Sequence, residues 1–222
     1  MIKTFYFNDL RTCCYVLWDD TKECVIVDAG CYSESEKSRL AKFVYENGLT
    51  PVKLLQTHGH FDHFMGFADF YRVQRETIMV YGAPEVLDYC GSIFNFIRHE
   101  EIPVLPFEPV EICGMEVTLF PVVHDTPTYG MRIRADGKTF VYSCDTRAEI
   151  CEESLALMRD ADLLLLDGIF PPGVNIAKHM NTEDAERLGR ELNAKEFWCV
   201  HMSHKIPWDY KYAASDMQSW IL

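Results

Sequence analysis

Thr57-His58-Gly59-His60-Phe61-Asp62-His63 places four side chains able to bind a metal, His58, His60, Asp62 and His63, within six consecutive positions. Two imidazoles at i and i+2 can converge on one ion from a loop. The carboxylate and imidazole that follow can turn toward a second ion about 3.5–4 Å away, the spacing of two-metal hydrolytic sites. A His-rich tract on a polar surface loop also binds metal adventitiously, but the flanks argue otherwise. Pro51-Val52-Lys53-Leu54-Leu55-Gln56-Thr57 reads as a short apolar strand, and Phe64-Met65-Gly66-Phe67 follows directly. The four donors thus stand where a buried strand ends and a helix can begin, and the run points to metal-assisted hydrolysis.

The spacing His-x-His-x-Asp-His resembles the signature of the metallo-β-lactamase superfamily. That resemblance implies a third His, then a bridging Asp, then a last His, each at a strand end. The chain offers them in that order: His124 in Pro121-Val122-Val123-His124-Asp125, Asp145 in Val141-Tyr142-Ser143-Cys144-Asp145-Thr146, and His201 in Phe197-Trp198-Cys199-Val200-His201. Taken singly, His124 reads as a core histidine and Asp145 as a cap or turn residue. Together they complete a donor set in which Asp145 bridges two cations. Of the eight histidines only His99 lies outside these segments and their neighbours. The implied fold is α/β, a four-layer αββα sandwich, and the implied cofactors are two divalent metal ions, Zn first, with Mn or Fe as alternatives that His/Asp donors also accept.

Composition agrees with one catalytic domain over residues 1–222, since no repeat, low-complexity stretch or linker divides the chain and α/β folds of this length are commonly one unit. The longest apolar runs, such as Leu163-Leu164-Leu165-Leu166, are far too short to cross a bilayer, and the start of the chain leads into no signal-peptide core. A cytoplasmic protein without a membrane partner is expected. Nine cysteines without a C-x-x-C pair fit neither a disulfide framework nor a zinc ribbon. Most read as small buried hydrophobes. Cys144 directly precedes Asp145, and the resemblance leaves open a Cys metal ligand there, but strand alternation favours a structural role, facing away from its neighbour.

Strands and helices alternate along the chain. Residues 16–18 and 24–28 form a hairpin pattern around Asp19-Asp20-Thr21-Lys22. Ser33 and Glu36 make a capping box for a helix with Leu40, Phe43 and Val44 on one face, stopped by Asn47-Gly48. Pro84 suits the first turn of a helix over residues 84–97. Asp136-Gly137 between residues 129–134 and 138–143 is a strong hairpin signal. Residues 163–167 form a strand, Asn181 or Thr182 caps a helix with Ala185, Leu188 and Leu192 on one face, and a strand follows over 197–201. Phe94, Phe96, Trp208, Tyr210 and Tyr212 read mainly as core, with a pocket or subunit contact as the alternative, and residues 216–222 as a last strand or a frayed end. A homo-oligomer is left open.

Two branches of the superfamily are represented. Residues 7–17 with Val27-Asp28-Ala29-Gly30 look like the glyoxalase II-like thioesterases. His124-Asp125-Thr126-Pro127-Thr128-Tyr129-Gly130 and Lys178-His179-Met180-Asn181-Thr182-Glu183-Asp184-Ala185 are similar to the phosphodiesterases that include ribonuclease Z and the phosphoribosyl cyclic phosphodiesterases, as is His201-Met202-Ser203-His204. The second likeness implies that His179 is a catalytic acid or transition-state donor at phosphate, with Met180-Asn181 departing from the usual pattern, and that His204 is a second-shell or substrate contact. Asp62 would orient the nucleophile in addition to binding metal. His58, His60 and His124 would hold one ion, and Asp62, His63 and His201 the other.

A formal net charge of −13, with Lys and Arg dispersed, disfavours long nucleic acid and favours a small phosphodiester or cyclic phosphate. The expected function is a metal-dependent phosphodiesterase. The alternatives are a thioesterase or lactonase using the same metals, and a weakly active metal-binding scaffold.

Overall fold

The computed structural model describes residues 1–64, 66, 77–207 and 209–222, which divide into two compact units. The first comprises Met1–Val104 and Asp216–Ile221, the second Leu105–Ser215 with Leu222. Two expectations fall partly outside the described residues: the continuation of the helix through Met65 and Phe67, and Trp208.

The first unit is built on a seven-stranded sheet, β1 (Ile2–Phe7), β2 (Thr12–Trp18), β3 (Glu23–Val27), β4 (Thr50–Gln56), β5 (Ile78–Gly82), β6 (His99–Pro103) and β13 (Ser219–Trp220), in the order β13-β1-β2-β3-β4-β5-β6. Strands β1 to β3 pair antiparallel, and Leu17↔Val25 and Trp18↔Cys24 confirm the expected hairpin. From β3 to β6 the pairing is parallel, so crossover segments, commonly helical, must carry the chain back between strands. The first is α1 (Glu34–Glu46), opened by the predicted capping box: the Ser33 hydroxyl accepts from the Glu36 amide, and the Glu36 carboxylate accepts from the Ser33 amide at 2.8 Å. Gly48, at φ 63°, follows its C-cap Asn47. The short α2 (Phe61–Phe64) begins inside the donor run. Helix α3 (Pro84–Ile93) ends four residues before the expected boundary. Phe94 and Ile97 are buried although the helix has stopped, the amide of Ile97 bonding the Phe94 carbonyl in a turn, so apolar spacing outlasts the helix. The chain end packs as a strand, with Ile2 opposite Trp220.

The second unit carries a six-stranded sheet, β7 (Pro109–Ile112), β8 (Met115–Pro121), β9 (Tyr129–Ala135), β10 (Lys138–Tyr142), β11 (Leu163–Asp167) and β12 (Glu196–Val200), in the order β12-β11-β10-β9-β8-β7. Strands β7 to β10 form an antiparallel meander, and β10, β11 and β12 are parallel. Asp136 and Gly137 have φ of 51° and 73°, the positive pair that a tight β9–β10 turn requires. Helices α4 (Glu152–Met158) and α5 (Thr182–Glu191) form the parallel crossovers. Asn181 caps α5 by accepting from the Asp184 amide at 2.8 Å, and Ala185, Leu188 and Leu192 join Leu164, Leu166 and Cys199 in the core as the spacing predicted.

All nine cysteines are free and seven are buried. Burial pushes the thiols of Cys90 and Cys199 up to about 12, so these two are unreactive packing groups. Phe94 is core, Phe96 is exposed, and Tyr210 and Tyr212 are half-buried against the second unit's core. Among the described residues no helix is long and apolar enough to cross a membrane.

Candidate metal centre

In the first unit β4 delivers Thr57 and His58 at its end, and the turn into α2 brings His60, Asp62 and His63 after them. Asp28, immediately after β3, organises this loop. Its carboxylate is fully buried and accepts from the Thr57 amide (2.9 Å), the Thr57 hydroxyl (2.5 Å), Gln56 Nε2 (3.2 Å) and His63 Nδ1 (2.9 Å). A buried carboxylate is stable only when its lone pairs are used, and the last of these bonds fixes the tautomer of His63 with Nε2 as the ring atom suited to a metal. His58 Nδ1 lies 3.1 Å from the Thr57 hydroxyl, which leaves its Nε2 outward. The outward atoms fall in pairs: His58 Nε2 and His60 Nδ1 are 3.2 Å apart, and Asp62 Oδ2 and His63 Nε2 3.7 Å. Two donors on one tetrahedral ion with bonds of 2.0–2.2 Å stand roughly 3.3–3.6 Å apart, and each pair falls about 0.1 Å outside that range, so a small adjustment of either would let it share a divalent cation. Thr12 donates to Asp62 Oδ2 at 2.5 Å, and a Cβ at Gly30 would collide with the Asp62 carbonyl. Glycine is needed there for close approach.

In the second unit the donors come from separate loops. The segments after β8 and β10 are tied by the Val123 amide bonding the Thr146 hydroxyl (3.1 Å) and the Arg147 amide bonding the Val123 carbonyl (3.1 Å), which sets His124 near Asp145. His124 donates through Nδ1 to the Lys178 carbonyl at 3.0 Å. Burial holds its pKa below the ordinary histidine value, against that bond and the nearby Asp145 carboxylate. Burial thus favours the neutral imidazole that ligation requires. His201 Nδ1 stands 3.2 Å from Asp145 Oδ1, about 0.1 Å short of the separation of two donors on one ion. Asp145, His179 and His201 offer donor atoms all within 4.8 Å of one another.

Asp167, the last residue of β11, is the counterpart of Asp28. Fully buried, it accepts from the Thr146 amide (3.0 Å), the Ile169 amide (3.2 Å) and His179 Nδ1 (2.7 Å). Burial raises its pKa, and the bond from His179 opposes the shift. His179 is thereby clamped just ahead of α5. His204 is exposed and makes no hydrogen bond or ion pair with the described residues.

Asp28, Cys144 and His201, each next to a strand end, have φ of 51°, 57° and 56°. For non-glycine residues this conformation costs on the order of 1 kcal/mol or more and clusters at functional sites. It also corrects the argument made for Cys144: β10 stops at Tyr142, so strand alternation does not govern its direction, although the side chain is fully buried.

The family model described as a beta-lactamase superfamily domain matches residues 25–202. The chain belongs to the β-lactamase superfamily. The match spans every donor described above, and with the His and Asp clusters of the two units it supports a metallo-hydrolase. The Bacillus subtilis protein named Probable metallo-hydrolase YhfI is 26% identical over 192 residues, 81% of this chain and 75% of that protein. Its crystal structure gives a TM-score of 0.76 at 22% identity, covering 91% of this chain and 86% of that one. A diphosphatase of the PhnP family gives a TM-score of 0.77 at 21% identity, covering 92% and 81% of the two chains. Human tRNase Z, short form, gives 0.75 at 18% identity and 98% of each chain. These likenesses establish the expected α/β metallo-β-lactamase fold.

Two residues with structural work at the donors carried no assignment in the sequence. Asp28 and Asp167 share a readable signal: each is an acid closing an apolar run, Cys24-Val25-Ile26-Val27-Asp28 and Leu163-Leu164-Leu165-Leu166-Asp167. An acid placed there must find donors when it is buried.

Proposed function

We propose that residues 1–222 act as one metal-dependent phosphodiesterase domain on a small phosphodiester or cyclic phosphate. His58, His60 and His124 would hold one divalent ion, Asp62, His63 and His201 would hold a second, and Asp145 would serve both. Zn is the first candidate and Mn or Fe the alternatives, because imidazole and carboxylate donors accept all three. Such ions lower the pKa of water and draw charge from phosphoryl oxygens. The chain's own residues supply the rest. Asp62, steadied by Thr12, orients the nucleophile. Asp145 neutralises part of the cationic charge. His179 donates a proton to the leaving oxygen or a hydrogen bond to the phosphoryl group, its ring held by Asp167.

One observation carries this reading: His179 is bonded to Asp167 at 2.7 Å while its ring is within 4.8 Å of the Asp145 and His201 donor atoms. A histidine placed beside a metal-binding pair and oriented by a carboxylate is equipped for general acid catalysis. The diphosphatase and tRNase Z among the structural relatives are consistent with phosphoester chemistry. The acidic balance of the chain, −13, favours a small substrate over a long nucleic acid. A cytoplasmic location accords with the sequence, and His204, which is exposed, is assigned to contact with substrate or with a metal-holding residue.

The test is hydrolysis of bis(p-nitrophenyl) phosphate by protein loaded separately with Zn²⁺ and Mn²⁺, with His60→Ala as the contaminant control and His179→Ala assayed in parallel on a glutathione thioester. Metal-dependent phosphodiester turnover that His60→Ala abolishes and His179→Ala lowers about a hundredfold or more is expected. Absence of turnover despite bound metal, with activity on the thioester, would replace this reading with a thioesterase or lactonase.

A further inference from the structure

The donor loop of the first unit carries a string of aromatic rings that the proposed mechanism does not use. Phe61, between His60 and Asp62, is 56% exposed, and Tyr89 on α3 is 48% exposed. Between them sits Phe64, 1% exposed, whose ring meets Phe61 edge-on at 5.8 Å and Tyr89 at 6.0 Å. Phe64 packs in turn on buried Phe94 at 5.5 Å. Gly59, between His58 and His60, lies flat against Tyr89: a Cβ there would sit 2.8 Å from the Tyr89 ring. Tyr89 therefore touches the same loop that presents the donors, and buried rings brace the two exposed ones.

Single exposed aromatics need no explanation, whereas a grouped and braced set does. Tyr and Phe rings have only two side-chain torsions, so ordering them against a ligand costs little entropy. The position of the set also defines its occupant. A phosphodiester reacting beside the ions that His60 and Asp62 would bind extends a substituent away from the reacting centre, and the residue between those two donors carries a phenyl ring. With a formal charge of −13 on the chain, an uncharged planar group is recognised more readily than a second phosphate.

We propose that Phe61 and Tyr89, braced by Phe64, form a stacking subsite for a nucleobase, which makes the preferred substrate a small nucleoside phosphodiester. This inference rests on the phosphodiesterase reading above. Base stacking on an aromatic side chain is sequence-tolerant, and at about 1.4 kcal/mol or more it is worth about tenfold or more in binding.

The experiment compares kcat/KM for thymidine 5′-(p-nitrophenyl phosphate) and methyl p-nitrophenyl phosphate, which share a leaving group, in the metal-loaded wild-type, Phe61→Leu, Tyr89→Leu and Tyr89→Phe proteins. The wild type is expected to prefer the nucleoside ester by about tenfold or more. Each leucine variant should cut that preference severalfold, chiefly through KM, and raise the inhibition constant of thymidine 5′-monophosphate by a similar factor. Tyr89→Phe keeps the ring and should keep the preference. General damage to the fold would lower both esters together and leave the ratio unchanged. Turnover of both esters with no preference, or with a preference the leucine variants retain, overturns the subsite and leaves the phosphodiesterase standing. Turnover of neither ester overturns both.

Discussion

In the first unit the four side chains proposed to bind metal come from six consecutive residues on one loop. In the second, His124, Asp145, His179 and His201 are gathered from four separate segments by strand pairing and loop-to-loop hydrogen bonds. Yet the two arrangements share one device. Each has a fully buried aspartate beside a strand end, Asp28 or Asp167, that accepts from at least one backbone amide and one histidine Nδ1. The contrast shows that a short motif can specify donor identity by itself, while donor orientation depends in both units on a carboxylate distant in sequence. The aspartates also serve different partners: Asp28 holds a proposed metal ligand, His63, and Asp167 holds a proposed acid, His179.

The strongest way to break this comparison is to remove one donor from each unit. His60→Ala and Asp145→Ala should each lower kcat/KM of the metal-loaded protein by more than about a hundredfold, beyond the 10–100-fold typical of outer groups. If only one variant loses activity, the two donor sets do not serve one reaction. The aspartates sharpen it next. Asp28→Asn should weaken metal affinity roughly 10–100-fold, measured by competition with a chromogenic chelator. Asp167→Asn should act mainly on kcat for phosphodiesters with metal affinity much less affected. Equal effects on metal binding would make the two aspartates equivalent after all.

Thr12→Val removes the hydroxyl that donates to Asp62 with little change in volume. It is expected to cost about tenfold in kcat/KM, the scale of one hydrogen bond to a charged group, and unchanged kinetics would show that Asp62 needs no such support. The smallest effect concerns α1. Ser33→Ala should lower unfolding stability by about 1 kcal/mol in denaturant titrations. Glu36 has its pKa lowered because amide hydrogen bonds from Ser33, Tyr32 and Asn8, with one from the Ser33 hydroxyl, overcome the effect of its partial burial. A carboxylate whose folded pKa is depressed stabilises the fold above its unfolded value, about 4.3, and loses that contribution as pH falls through the folded value. The stability gap between wild type and Glu36→Gln should therefore be present at pH 7 and shrink below about pH 4. A gap independent of pH would refute the ionic role of the cap.

These cases also show what the residues could disclose in advance. His58, His60, Asp62 and His63 were readable because their spacing is local, as were the α1 capping box and the Asp136-Gly137 turn. His124, Asp145 and His201 became readable only through resemblance, since each alone looks like an ordinary core or turn residue. Asp28 and Asp167 were not recognised because their work is done by bonds to Thr57, His63, Thr146 and His179, which only the folded chain brings near. The end of α3 was misplaced because Phe94 and Ile97 stay buried past the last helical turn. Strand β6, His99-Glu100-Glu101-Ile102-Pro103, went unnoticed because it is a charged edge strand paired on one side only, and a strand of that kind lacks the apolar signature.

The central claim is that the donors of both units bind metal together. Metal content per chain, determined by elemental analysis after equilibration with Zn²⁺ and removal of free ion, tests it most directly in the wild type, His60→Ala and Asp145→Ala. The account predicts about two ions per chain in the wild type, as two-metal sites require, and loss of bound metal in each variant. Full occupancy in either variant would contradict it.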